Sequence, residues 1–173
     1  VVYLGRLSEE KGVNVVIQAL QSMPQLRLKI LGDGPLAKSL QTSAYQNGLH
    51  NIEFMGYTIN EQKWRILRAA IAVVIPSMCY ENFPIAALDS MAAGTPIIAS
   101  NLGSLPAMVE DGKNGLLFEP NGSDDLQQKL KWLLGHPEEA MIMGRYGQQA
   151  AEELYSAEAY YKRLVAIYNE VRH

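Results

Sequence analysis

The chain has 173 residues, 48% of them hydrophobic, and a formal net charge of −3. That length suits one ordinary domain with a core of its own, and the acidic balance argues against a general nucleic-acid or anionic-membrane binder, which needs a dense basic face. A single cysteine, Cys79, cannot form an internal disulfide, and the three histidines lack metal-ligand spacing. With no apolar run near the ~20 residues of a membrane span, these features point to a reducing, cytoplasmic setting.

Short β-rich runs alternate with helical patterns along most of the chain. "VVYLG" opens at residue 1, and helical spacing follows over 11–23, where Val13, Val16, Ile17 and Leu20 recur at three- and four-residue intervals. "LRLKILG" precedes a helix at 35–46 with Pro35 in its first turn, "NIEFMG" one at 60–70, "IAVVIPS" one at 84–93 opening on Pro84, and "TPIIAS" one at 104–110. "GLLFEP" is the last strand. This alternation predicts parallel strands joined by crossover helices, and strands apolar on both faces, such as "IAVVIP", predict helices on both sides of the sheet. The expected fold is α/β, a Rossmann-like doubly wound parallel sheet of about six strands with a helical C-terminal tail. In the tail Ser123 reads as an N-cap, Pro137 as a first-turn proline followed by Glu138 and Glu139, and Ser156 as another N-cap. The last helix puts Tyr160, Leu164, Ile167 and Val171 on one stripe, which needs something to pack against. Val1 opens directly on a strand with no initiator Met, so the chain reads as a piece of a longer one, with a sheet domain over 1–155 and a packing helix over 156–173.

Ligands of open α/β sheets bind beyond the carboxyl ends of the strands, so the loops there are where chemistry is sought. "GRLSEEKG" places Arg6 and Lys11 around a turn that Gly5 permits, and a guanidinium with an ammonium can hold a diphosphate. The plain alternative is a solvated turn. In "LGDGPLAKSL", Gly32, Gly34 and Ala37 satisfy the G-x-G-x-x-A dinucleotide fingerprint, but Pro35 interrupts it and the motif follows the second strand. A nicotinamide enzyme is thus an alternative, as is a tight turn whose glycines admit a ligand to the backbone. In "CYENFPIAALDS", Pro84 opens a helix whose unpaired N–H groups form an anion site. Glu81 then faces the uncharged part of a ligand, and Asp89 can accept paired hydrogen bonds from ribose hydroxyls. No P-loop, G-x-S-x-G or H-E-x-x-H motif is present.

Taken in order, G-R-x-x-x-x-K-G (Gly5, Arg6, Lys11, Gly12), G-x-G-P (Gly32, Gly34, Pro35), F-x-G (Phe54, Gly56), Glu81 with an acid eight positions on, "MAAGTPIIAS" and "VEDGKNGLLF" resemble the C-terminal domain of retaining glycosyltransferases of the two-domain GT-B fold. That family is the glycosyl transferases group 1 family, and the resemblance runs from residue 1 to about 125. It implies a donor-binding half whose substrate is a UDP-, GDP- or ADP-sugar, used without metal or cofactor and transferred with retention. By the same resemblance Arg6, Lys11 and Glu81 are catalytic, and Gly5, Gly32, Gly34, Phe83, Pro84, Ile85 and Asp89 bind the donor. Asp89 stands where the family has Glu, Asn82 and Pro84 where many members have Gly, Ser104 in place of a second glycine, and Ala107 in place of a glutamate. The partners implied are the nucleotide sugar and a missing N-terminal domain, without which the fragment is inactive. Any membrane contact, at the cytoplasmic face, runs through that missing half, and the C-terminal stripe packs on it or forms a dimer contact. The readings of another kind are a non-catalytic nucleotide-sugar sensor and a sugar-nucleotide epimerase of the same overall fold.

Overall fold

Six parallel strands form one sheet in the computed structural model, which describes residues 1–171. They are β1 (Val2–Leu4), β2 (Leu28–Leu31), β3 (Ile52–Gly56), β4 (Val73–Ile75), β5 (Ile97–Ser100) and β6 (Gly115–Phe118), in the order β3-β2-β1-β4-β5-β6. The helices are α1 (Val13–Gln21), α2 (Ala37–Gln46), α3 (Asn60–Arg68), α4 (Ile85–Ala93), α5 (Leu105–Met108), α6 (Ser123–Gly135), α7 (Pro137–Tyr155) and α8 (Ala157–Val171). A 3-10 turn over Glu9–Lys11 precedes α1. This is the doubly wound arrangement expected, and its strand order reverses between β1 and β4.

Two cores explain why the central strands are apolar throughout. Successive strand side chains point to opposite faces, so Val74 and Ile98 join α1 and α6 on one side, through Val16, Leu20, Leu126 and Leu130. Val73, Ile75, Ile97 and Ala99 face the other side, where Leu67 of α3, Met91 of α4 and Ala151 of α7 meet them. No helix of the described residues is long and apolar enough to cross a membrane.

Helix starts differ in detail from the sequence expectation. Ser123 is the first residue of α6 and Gly122 occupies the cap, because the Gly122 carbonyl already accepts from the Leu126 amide. Pro84 likewise caps α4 from outside, with an extended ψ of 100°, and Pro35 lies in a turn before Leu36, the residue that caps α2. Pro137 does open α7, and the Ser156 hydroxyl accepts from the Ala159 amide at the start of α8. The stripe of α8 is open: Tyr160 is 63%, Ile167 58% and Val171 79% exposed, and no described residue of that helix is buried.

α7 packs along α4 through small residues. A Cβ on Gly144 would lie 2.1 Å from the Gly94 carbonyl oxygen, a backbone atom that cannot swing aside. Gly144→Ala is therefore expected to destabilise by about 1–3 kcal/mol in urea denaturation, the usual cost of overpacking. Gly135→Ala, at the end of α6 where a Cβ meets nothing within 4 Å, is expected to be neutral or slightly stabilising.

Candidate functional site

The crevice opens where the strand order reverses. The loops after β1 and β4 diverge there, leaving a cavity of about 270 Å³. Gly5, Arg6 and Lys11 line it from the β1 side, and Glu81, Phe83, Pro84 and Ile85 from the β4 side. A second cavity, also about 270 Å³, shares Leu4, Gly5 and Arg6 with the first and extends over β2 and β3 to Gly32, Asp33, Tyr57 and Thr58.

Tyr3 supports the β1 loop from below. It is buried in β1 and its hydroxyl donates to the Arg6 carbonyl at 2.7 Å. Burial, then the charges of Glu10 and Glu81, push its phenol well above the ordinary value, so it remains a donor. The loop also leans on the β2–α2 loop, with the Leu7 amide donating to the Asp33 carbonyl and the Leu36 amide to the Leu7 carbonyl, each at 3.0 Å. Gly32 and Gly34 owe their identity to this packing. A Cβ on Gly32 would sit 1.8 Å from the Gly5 carbonyl oxygen, and one on Gly34 2.5 Å from that of Leu7. The dinucleotide fingerprint thus has a structural reason in loop-on-loop contact, and Gly32 lines the second cavity next to Gly5.

The β1 and β4 loops interlock. Gly12, at φ 67°, has the Pro76 carbonyl oxygen 1.9 Å from where a Cβ would be, and the Met78 amide donates to the Glu10 carbonyl at 2.8 Å. This closeness brings Lys11 to Glu81, 70 residues away in sequence, at 2.5 Å. Ser77 donates to the same Glu81 oxygen, Oε1, at 2.6 Å. Burial raises the Glu81 carboxyl, but the hydrogen bonds from Lys11 and Ser77 outweigh it and hold the group below its ordinary value. Glu81 is therefore a carboxylate at neutral pH. Among the described residues its Oε2 has no hydrogen-bond partner and Arg6 makes no ion pair, so one acceptor and one cation remain free at the cavity.

Asp89 is not brought to this wall. It sits one turn, about 6 Å, along α4 from Ile85, lines neither cavity, and accepts at Oδ2 from Lys63 of α3 at 2.9 Å. Sequence reasoning missed Tyr3, Ser77 and Lys63. A tyrosine inside a buried strand is a legible signal, because its hydroxyl must find a partner; Lys63 has none, since its place depends on how α3 packs on α4.

The family model described as "Glycosyl transferases group 1" matches residues 1–150. An uncharacterized glycosyltransferase of Methanocaldococcus jannaschii is 31% identical over 151 residues, covering 87% of this chain and 42% of that protein. The chain spans about two fifths of the length of such curated relatives. Among solved structures, Anabaena HepE in complex with UDP superposes with a TM-score of 0.89 at 23% identity, covering 98% of this chain and 48% of that one. The C-terminal domain of a group 1 glycosyltransferase, LpcC of Francisella tularensis, gives 0.78 at 26% identity, covering 90% and 85%. The chain belongs to the glycosyl transferases group 1 family, and its fold is one half of the GT-B architecture.

Proposed function

We propose that this chain is the donor-binding half of a retaining glycosyltransferase that uses a nucleotide-diphospho-sugar without a metal ion. One observation carries the reading: Arg6, Lys11, Glu81 and the N-terminus of α4 converge on a single cavity at the switch point. Arg6 meets the diphosphate with its guanidinium fork, and Lys11, which has donors to spare beyond the one given to Glu81, adds a point charge. The first-turn amides of α4, near Phe83 and Ile85, complete the anion site. These positive groups offset charge that grows on the leaving phosphate as the glycosidic bond breaks, so they count most in the transition state. Glu81 accepts hydrogen bonds from the sugar through Oε2. Gly5 lets the phosphates approach the backbone, while Gly32 and Gly34 hold the β1 loop in place. The ribose reaches Asp89 only by extending along α4 beyond the cavity, where Oδ1 is left to accept while Oδ2 is held by Lys63.

The relatives' greater length supports a second domain that supplies the acceptor site, so this chain alone transfers little or no sugar. Its other half covers the exposed stripe of α8, and both work in the cytoplasm. A second reading, a domain that binds the nucleotide sugar without transfer, is favoured by the engagement of Asp89 with Lys63 outside both cavities. Sugar transfer or donor hydrolysis by the longer protein would exclude it.

Calorimetric titration with UDP, GDP and ADP in the presence of a chelator tests the proposal. One nucleotide is expected to bind saturably, and Arg6→Ala to weaken it about tenfold to a hundredfold, the value of a charge-assisted contact. Equal binding by Arg6→Ala, or binding only with added metal, would sink it. The lowered Glu81 pKa supplies an independent check. A bound diphosphate adds negative charge beside Glu81 and draws on Lys11, and both raise that pKa. Binding should therefore take up protons at pH values between the lowered free value and the higher bound one, and none near pH 8. The nucleotide's terminal phosphate, with a second pKa near about 6, releases protons in the same range as it meets cations, so titrations in two buffers of different ionisation enthalpy are read as a difference: Glu81→Gln should lose the uptake due to Glu81 and leave only the release.

A further inference from the structure

We propose that Ser104 is a positioning residue that holds Glu81 in its working orientation through the main chain of the β4–α4 loop. Its hydroxyl donates to the Glu81 carbonyl at 2.6 Å from the start of α5, a separate loop beyond β5. Among the described residues this is the one hydrogen bond made by the main chain between Cys79 and Phe83. A loop whose backbone is otherwise unpaired is loose, and a single tie on the residue that carries the carboxylate is well placed to restrict it. The approach is close along its length: a Cβ on the neighbouring Gly103 would come 3.1 Å from both the Tyr80 Cα and the Glu81 nitrogen. Ser104 itself has φ −85° and ψ −7°, ordinary helical backbone that does not call for glycine. Its side chain is therefore an added device that leaves the loop path unchanged.

Glu81 is consequently held by three loops. Lys11 comes from the loop after β1 and Ser77 from its own loop, and both bind Oε1; Ser104 comes from the loop after β5 and binds the main chain. The remaining ionisable groups that bear on Glu81 are Glu10 of the β1 loop and Tyr3 of β1. Freeing the carbonyl lets the loop swing, and the carboxylate then spends less time within reach of Lys11 and Ser77. The functional meaning of this rests on the role proposed for Glu81, but its structural content does not.

The test is an NMR titration of the Glu81 carboxyl in the chain, together with backbone relaxation of residues 79–83. Ser104→Ala is expected to raise the Glu81 midpoint by about half a unit, equivalent to roughly 0.7 kcal/mol, and to lower the amide order parameters of those residues from the rigid to the flexible range, as expected when the one tie on the loop is lost. Ser104→Thr keeps the hydroxyl and should restore both. If the alanine variant does not fold, Ser104→Gly removes the same hydroxyl and reads the same quantities. An unchanged midpoint, or a threonine variant that behaves like alanine, would overturn the proposal. Neither measurement involves a nucleotide, so failure of the chain to bind UDP, GDP or ADP would count against the proposed function alone.

Discussion

A parallel sheet whose strand order reverses must send the two connections at the reversal to opposite faces, and nothing covers the gap between them. Here that gap lies between β1 and β4, and the site follows from it. Loops elsewhere in the sheet lie side by side and can fill the space between them. At the reversal they part beside the strand ends and leave the cavity, although Lys11 and Glu81 still meet across it.

Two loops that face each other across a cleft need a means of staying in register, and the contacts here are short and mostly of backbone. Gly12 against Pro76 sets the distance, and the Lys11–Glu81 pair completes the span. The pair is partly buried, with side chains 28% and 16% exposed, so solvent screens it less than a surface bridge. A free protein that neutralises its own cation in this way keeps the site ordered without a ligand. Under the function proposed above, a diphosphate would have to compete for Lys11, whereas Arg6 makes no ion pair among the described residues.

Much of this was legible in the sequence, for identifiable reasons. "IAVVIP" is apolar at every position because β4 has a core on each side, and "HPEEA" opens α7 because proline suits the first turn and acids suit its dipole. Local chemistry of this kind needs no knowledge of the rest of the chain. Arg6, Lys11 and Glu81 could be singled out because a turn, a charge and a helix start each leave a local mark. What remained hidden was determined across long separations. Lys11 and Glu81 are 70 residues apart, Ser104 and Glu81 are 23, and Lys63 and Asp89 are 26. Each pairing depends on how far one helix or loop leans towards another, and residue patterns carry no such distance. The cap of α6 was misread for a related reason: Gly122 satisfies the helix through its backbone, which leaves no mark in side-chain chemistry.

One contact joins the cavity to the start of α8. Phe83, on the cavity wall, meets Tyr155, the last residue of α7, edge to face at 5.7 Å, and α8 departs two residues later. A ligand that displaces Phe83 and a load that turns α8 act on the same pair of rings, so each must alter the other's equilibrium by an equal free energy. An aromatic pair is worth about 0.5–1.5 kcal/mol beyond its buried area, and that is the share of the coupling that the edge-to-face geometry itself can transmit. By ring geometry alone, the direction of α8 can change affinity at the cavity by up to about tenfold.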